Sequence, residues 1–226
     1  MFSNHASMPS ALRGLNRSRR HGLAVLAALA LLQACGKRQG SAKAVAPGAT
    51  VLALGDSLTS GEGASPDEAY PVVLQELTRW QVVNGGVSGD TSAQALARLP
   101  ELLQAHRPAL VIVSIGGNDF LRQMSAGKTK DHIRAICRQC TEAGAQVMLV
   151  AIPGASLLTA STGRFADHPL YAELASELQL PLHAGGWSSV LSDASLRADQ
   201  IHANAGGYRQ FAQGLAAQLR KTGLLA

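Results

Sequence analysis

Ser57, Asp199 and His202 are the residues whose types and spacing are suited to nucleophilic chemistry. A serine hydroxyl is a weak nucleophile until a base lies within hydrogen-bond reach. Ser57 stands in LALGDSLTSGEG (52–63), where a β-like apolar run breaks into a glycine-flanked bend that lifts the hydroxyl out of the strand. The candidate bases after residue 50 are His106, His132, His168, His183 and His202. His202 is set apart by the fragment ADQIHAN, in which Asp199 precedes it by three residues. In a turn or short helix, residues three apart face the same side. Asp199 can then accept the Nδ1–H of His202, fix its tautomer and leave Nε2 facing Ser57. The D-x-x-H spacing alone is also met in local surface pairs. His106 at a helix end and His132 on a charged helix face are expected to be solvated.

Acyl transfer also needs donors aimed at a developing oxyanion. Asn118, in GGND, offers a side-chain amide on a glycine-rich bend. Gly89, in NGGVSGD, offers a backbone N–H with no Cβ in the way, and the N–H of Ser57 itself would be the third donor. The elements that must position these groups alternate along the chain. Strands are expected at 50–54, 80–84, 109–115 and 146–152, with helices at 67–79, 91–106, 128–145, 170–180 and 205–223. Thr91 or Ser92 would cap the second helix, and Pro100 would interrupt it. ALVIVSI (109–115) is a continuous apolar run that suits a parallel sheet covered on both faces. The alternation predicts an α/β fold, a three-layer α/β/α sandwich with a mostly parallel central sheet. In such sheets ligands bind outside the carboxyl ends of the strands. GDSLTS, NGGVSGD and GGND each directly follow a strand, so they converge on one sheet edge.

Charge narrows the partners. The chain has 226 residues and a formal charge of +5, but seven of its 20 Lys and Arg fall in residues 1–43, which hold no acid. Residues 44–226 keep 13 basic against 15 acidic side chains, which gives no electrostatic support for nucleic-acid binding. The basic start runs into GLAVLAALALL (22–32), an uncharged stretch shorter than the ~20 residues a membrane span needs. A basic segment, a short apolar core and small residues predict a secretory signal peptide over 1–35. Its end, Leu32-Gln33-Ala34-Cys35, resembles the lipobox of bacterial lipoproteins, which implies lipidation of Cys35. A plain secretory signal with an incidental cysteine is the alternative. Gly36 does not resemble the aspartate that commonly retains lipoproteins at the inner membrane, which favours an outer-membrane anchor facing the periplasm. Residues 36–49 read as a flexible tether and 50–226 as the domain. Cys137 and Cys140, in ICRQC inside a helix, are expected as small core-facing residues, with a labile disulfide as the alternative.

The blocks GDSL at Gly55–Leu58, Gly89, GGND at Gly116–Asp119 and DQIH at Asp199–His202 resemble, in order, the four motif blocks of the SGNH (GDSL) hydrolases. NGGVSGDTSAQALARLP (84–100) is similar to the bacterial periplasmic subgroup of thioesterase I, lysophospholipase L1 and arylesterase. The resemblance covers roughly residues 50–221 and implies the flavodoxin-like SGNH fold. It also implies Ser57 as nucleophile and His202 as base and then acid, with Asp199 orienting the imidazole. Ser57, Gly89 and Asn118 would form the oxyanion hole, and Asp56 and Asp119 would brace the loops. No cofactor and no metal are implied. The implied substrates are small esters, thioesters or lysolipids, with membrane contact only through the anchor at Cys35. Ala203 stands where the family commonly has proline, and residues 152–171, a region that helps line the acyl pocket in this fold, match least. An α/β-hydrolase would carry its nucleophile in G-x-S-x-G, and a dinucleotide fold would need a third glycine where GEGASP has proline. The competing functions are an O-acetyl deacetylase on the same fold and a non-catalytic, lipid-anchored binding protein.

Overall fold

The apolar runs of the sequence become the middle of a parallel sheet. The computed structural model describes residues 1–2, 43–154 and 163–226, and a compact unit spans Ser41–Ala226. Signal peptide, lipobox and Cys35 lie outside the described residues. Strands β1 (Thr50–Gly55), β2 (Gln81–Gly86), β3 (Leu110–Ser114), β4 (Gln146–Val150) and β5 (Leu182–His183) pair in the order β2-β1-β3-β4-β5, all parallel. Leu52 registers with Val83 on one side and Val111 on the other. Every residue of β3, and all of β1 after Thr50, is buried, as expected of a sheet covered on both faces. β2 is an edge strand and carries the exposed polar residues Gln81 and Asn84.

The helices are α1 (Ser57–Ser60), α2 (Tyr70–Thr78), α3 (Ser92–His106), α4 (Gly117–Leu121), α5 (Ala126–Glu142), α6 (Leu170–Leu178), α7 (Gly186–Ser192) and α8 (Ala205–Lys221). α2 and α7 pack with α8, while α3 and α6 pack with α5, which gives the two outer layers of the sandwich. The first layer meets around aromatic rings. Trp187 stacks on Phe211 at 3.6 Å between centroids, and Tyr70 meets Phe211 edge-on at 4.9 Å. In the second layer Ile133, Ile136, Cys137 and Cys140 face the core from α5. Both cysteines are free thiols, and burial pushes each up to about 12, which suits packing and not redox exchange.

Sequence and structure differ in several places. Thr91 is the N-cap of α3, in a capping box with Gln94. Pro100 does not interrupt that helix, which continues to His106 and forgoes the hydrogen bond of one absent N–H. β5, at two residues, is too short to show a period, and α1, α4 and α7 were not anticipated. Residues 43–49, expected as the end of a tether, lie against the domain. Val45 is buried, its N–H donates to Leu224 O, and its carbonyl accepts the Trp80 indole N–H. Among the described residues no helix is long and apolar enough to cross a membrane.

The strand order decides where a site can form. From β1 the chain crosses first to β2 on one side and then back over β1 to β3 on the other. The loops leaving β1 and β3 therefore part, and open a crevice at the carboxyl edge of the sheet. The Ser57 and Asn118 segments are those two loops.

Candidate active site

The bend after β1 is built so that Ser57 begins a single helical turn. Asp56, buried, is the N-cap of α1, and its carboxylate accepts the N–H of Leu58 at 3.1 Å. The turn ends at Gly61, whose φ of 100° supplies the left-handed cap. A Cβ on Gly55 would lie 2.1 Å from Thr59 Oγ1 and 2.5 Å from Ser114 O, so only glycine lets the turn close on β1. Burial raises the Asp56 carboxyl to about 7, against the pull of the Leu58 N–H and of nearby His202.

His202 reaches Ser57 from the far end of the chain. Arg197 and Ala203 bridge the base of its loop, and the N–H of Ala198 donates to His202 O. Asp199 Oδ1 accepts the N–H groups of Ile201 and His202, both at 2.8 Å, which leaves Oδ2 to take the ring Nδ1 at 2.7 Å. The His202 Nε2 lies 3.0 Å from Ser57 Oγ. With Nδ1–H donating to Asp199, Nε2 is the free acceptor for the serine proton. Partial burial works against the Asp199 charge, but the imidazole and the two N–H donors outweigh it and hold the carboxyl below its usual range. Gly63 permits the approach, since a Cβ there would sit 2.6 Å from Ala203 O. Tyr208 in α8 ties the two loops together by donating to Glu62 O at 2.6 Å.

The expected donors are at the same place. Gly89 holds φ at +85° between β2 and α3. Among the described residues, the N–H groups of Ser57 and Gly89 have no hydrogen-bond partner. Asn118, near the start of α4, donates one amide hydrogen to Asp90 O at 3.0 Å. A carbonyl can only accept, so Nδ2 is the atom facing it and a second N–H stays free. Ser57, Gly89, Asn118, Asp199 and His202 all line one cavity of ≈ 310 Å³. Its remaining wall is mostly apolar, from Leu58, Leu121, Ile152, Pro153, Phe165 and Leu191. Burial of these walls was not legible in any motif, although the loop after β4 was expected to contribute.

Asp119 braces α4 from below. Its carboxylate accepts the Ser92 N–H at 2.8 Å, the Ser92 hydroxyl at 2.5 Å and the Thr129 hydroxyl at 3.1 Å. His132 Nδ1 lies 3.0 Å from the same Ser92 Oγ. This corrects the expectation of a solvated His132. The ring is half-buried and joins the network because Ile133 and Ile136 turn that side of α5 inward. His183 is buried, and desolvation lowers it to about 4. Among the described residues no cluster of His, Cys, Asp or Glu is arranged to hold a metal.

A serine hydroxyl, an imidazole and a carboxylate in one hydrogen-bonded line, at the base of an apolar cavity, is the apparatus of acyl transfer. Comparison with known proteins agrees. The model of the GDSL-like Lipase/Acylhydrolase family matches residues 53–210. The chain belongs to that family. Thioesterase 1/protease 1/lysophospholipase L1 of Escherichia coli (strain K12) is 38% identical over 179 residues, covering 76% of this chain and 83% of that protein. An arylesterase of Vibrio mimicus is 32% identical, over 58% of this chain and 68% of its own. The crystal structure of TesA superposes with a TM-score of 0.67 at 27% identity, covering 76% of this chain and 99% of that one. As a GDSL/SGNH hydrolase, the chain is a serine esterase.

Proposed function

We propose that the chain hydrolyses carboxylic esters and thioesters of modest acyl length, lysolipids and aryl esters among them, through an acyl-enzyme on Ser57. The observation that carries this reading is the line Ser57 Oγ–His202 Nε2–Asp199 Oδ2, at 3.0 and 2.7 Å, opening into an apolar cavity. Ser57 Oγ attacks the carbonyl carbon while His202 Nε2 takes its proton. Asp199 stabilises the imidazolium without taking the proton itself. The oxyanion receives the N–H groups of Ser57 and Gly89 and the free amide hydrogen of Asn118. Collapse breaks the bond to the leaving oxygen or sulfur, which takes the proton from His202. Water then repeats the sequence and releases the acid.

At ≈ 310 Å³ the cavity lies near the lower end of the ~300–1,000 Å³ of small-molecule sites. Its apolar wall gives an acyl chain somewhere to lie, and this favours the lipid-ester reading over an O-acetyl deacetylase. Hydrolysis of p-nitrophenyl esters from acetyl to palmitoyl tests it, with Ser57→Ala as control. A rate that peaks at medium chains and vanishes in the variant is expected. Acetyl-only turnover would establish the deacetylase instead, and turnover unchanged in Ser57→Ala would sink the mechanism.

The basic and apolar start of the sequence supports export, and Leu32-Gln33-Ala34-Cys35 supports lipidation at Cys35 with an outer-membrane anchor facing the periplasm. In this reading residues 1–35 are removed or modified and 50–226 form the hydrolase domain. Metabolic labelling with a palmitate analogue checks the anchor. Incorporation is expected in the native chain and none in Cys35→Ser.

A further inference from the structure

The proposed oxyanion donors come from three separate loops, and one side chain touches two of them. Arg98, in α3, donates from Nε to Asp90 Oδ2 at 2.7 Å and from Nη2 to Gly55 O at 2.9 Å. Gly55 is the last residue of β1, two before Ser57, and its carbonyl also accepts the N–H of Val87 at 3.1 Å. Asp90 directly follows Gly89, and its carbonyl accepts the Asn118 amide at 3.0 Å. The Asp90 side chain is only 9% exposed and that of Arg98 23%.

We infer that Arg98 is a positioning residue for the oxyanion hole: its guanidinium sets the Ser57, Gly89 and Asn118 donors in register by joining the end of β1 to the Asp90 turn. The inference rests on the proposed oxyanion hole. Arg98 is absent from the cavity lining, so it acts through other groups and not on the substrate. A planar fork is needed because the two acceptors are a carboxylate oxygen and a peptide carbonyl on different segments, and a fixed pair of N–H vectors holds both at once. A lysine ammonium keeps the charge but satisfies one acceptor well and the other poorly. Asp90, by the same geometry, couples the guanidinium to Asn118. Its side chain takes Arg98 while its backbone carbonyl fixes the amide rotamer.

Donors that matter only when the oxyanion forms should affect kcat and leave substrate binding nearly alone. Displacements of the order of 1 Å at such donors cost up to ~10²-fold. Arg98→Met, which keeps the length of the stem, is expected to lower kcat about 30-fold with KM within twofold. It should weaken an alkyl trifluoromethyl ketone, whose adduct carries the oxyanion, by a similar factor. Arg98→Lys is expected to lose about fivefold, and methylguanidinium should restore part of the rate in Arg98→Met but not in Asn118→Ala. The inference is overturned if kcat and ketone affinity in Arg98→Lys stay within 1.5-fold of the native enzyme. It is equally overturned if a folded Arg98→Met loses activity through KM alone. Should Arg98→Met fail to fold, the lysine variant decides by the same two numbers. Failure of the hole itself has a different signature, since Asn118→Ala would then retain full kcat.

Discussion

Asp119→Asn tests whether the network under α4 is wired as its distances imply. In the native protein the single hydroxyl proton of Ser92 is committed to Asp119 Oδ1 at 2.5 Å, so the hydrogen between Ser92 and His132 must come from Nδ1 of the ring. Replacing the carboxylate by an amide forces a rearrangement. The amide oxygen must face the Ser92 N–H, which can only donate, and the amide NH₂ then faces the hydroxyls of Ser92 and Thr129. Ser92 becomes an acceptor from Asn and turns its proton to His132, whose hydrogen moves to Nε2. Three bonds survive but lose their charge assistance. Bonds to a charged group are worth ~1.5–3 kcal/mol and neutral ones ~1, so the loss is about 1.5–6 kcal/mol for the three. The Asp119 charge at the N-terminus of α3 is also lost, worth a further ~0.5 kcal/mol. Urea denaturation measures the total, and long-range ¹H–¹⁵N correlation of the His132 ring reads the tautomer. A change under 0.5 kcal/mol, or a native ring with its hydrogen on Nε2, would refute the wiring.

Three other perturbations follow from the same structure. Burial raises Asp56 from 3.8 to about 7, so the folded state holds a proton the unfolded chain has released, and stability should fall as pH rises from about 4 to about 7. At ~1.4 kcal/mol per pH unit that fall is up to ~4 kcal/mol, and Asp56→Asn should flatten it in urea titrations; an unchanged slope would show that burial does not set this carboxyl. Glu62 lines the cavity and accepts from Ser88 Oγ at 3.2 Å, while among the described residues no Lys or Arg shares the lining. Glu62→Gln should therefore raise the rate on esters with anionic leaving groups about threefold relative to neutral ones of the same acyl chain at low salt, with the gain fading as ionic strength shortens the ~10 Å screening length. A ratio unmoved at low salt would remove Glu62 from substrate choice. Gly116 holds φ at +125°, and a Cβ there would lie 2.5 Å from the Tyr171 hydroxyl, which donates to Ile115 O at 2.8 Å. Gly116→Ala is expected to cost about 3 kcal/mol, lowering Tm by roughly 10 °C; a drop under 2 °C in calorimetry would mean that the turn relaxes freely.

What could be read from the sequence divides along a physical line. β1 and β3 announce themselves because a strand buried on both faces must be mainly apolar, and Val51–Leu54 and Leu110–Val113 are. Ser57, Gly89, Asn118, Asp199 and His202 were legible because each sits in a glycine-rich or Asx-type loop with its own local reason to turn. The structure brings all five to one cavity. Arg98 was invisible by the same logic. A charged residue in an amphipathic helix reads as solvated surface, and only the arrival of Asp90 and Gly55 from elsewhere in the chain turns it inward. His132 was misread for that reason too, its partner Ser92 being 40 residues away. Pro100 looked like a stop because propensity counts the missing hydrogen bond, whereas packing of α3 through Ala95 and Leu99 outweighs it.

This division bears on how such a site keeps its geometry. Ser57, His202 and Asp199 are joined directly, by bonds of 3.0 and 2.7 Å, and Tyr208 holds the histidine loop against the serine loop. The proposed oxyanion donors have no such direct link, because three donors aimed at one point cannot bond to each other. Their registry must come from behind, through acceptors on residues outside the cavity lining: Asp90 O, Gly55 O and the Asp119 carboxylate. Arg98 of α3 serves Gly55 O and the Asp90 side chain, whose backbone carbonyl takes Asn118, and Ser92 of α3 and Thr129 of α5 serve the Asp119 carboxylate. The switch point of the sheet creates the crevice, but it leaves the loops after β1, β2 and β3 as independent pieces. Polar contacts reaching up from the helical layer make them one surface, so substitutions in α3 and α5 can alter turnover without touching substrate.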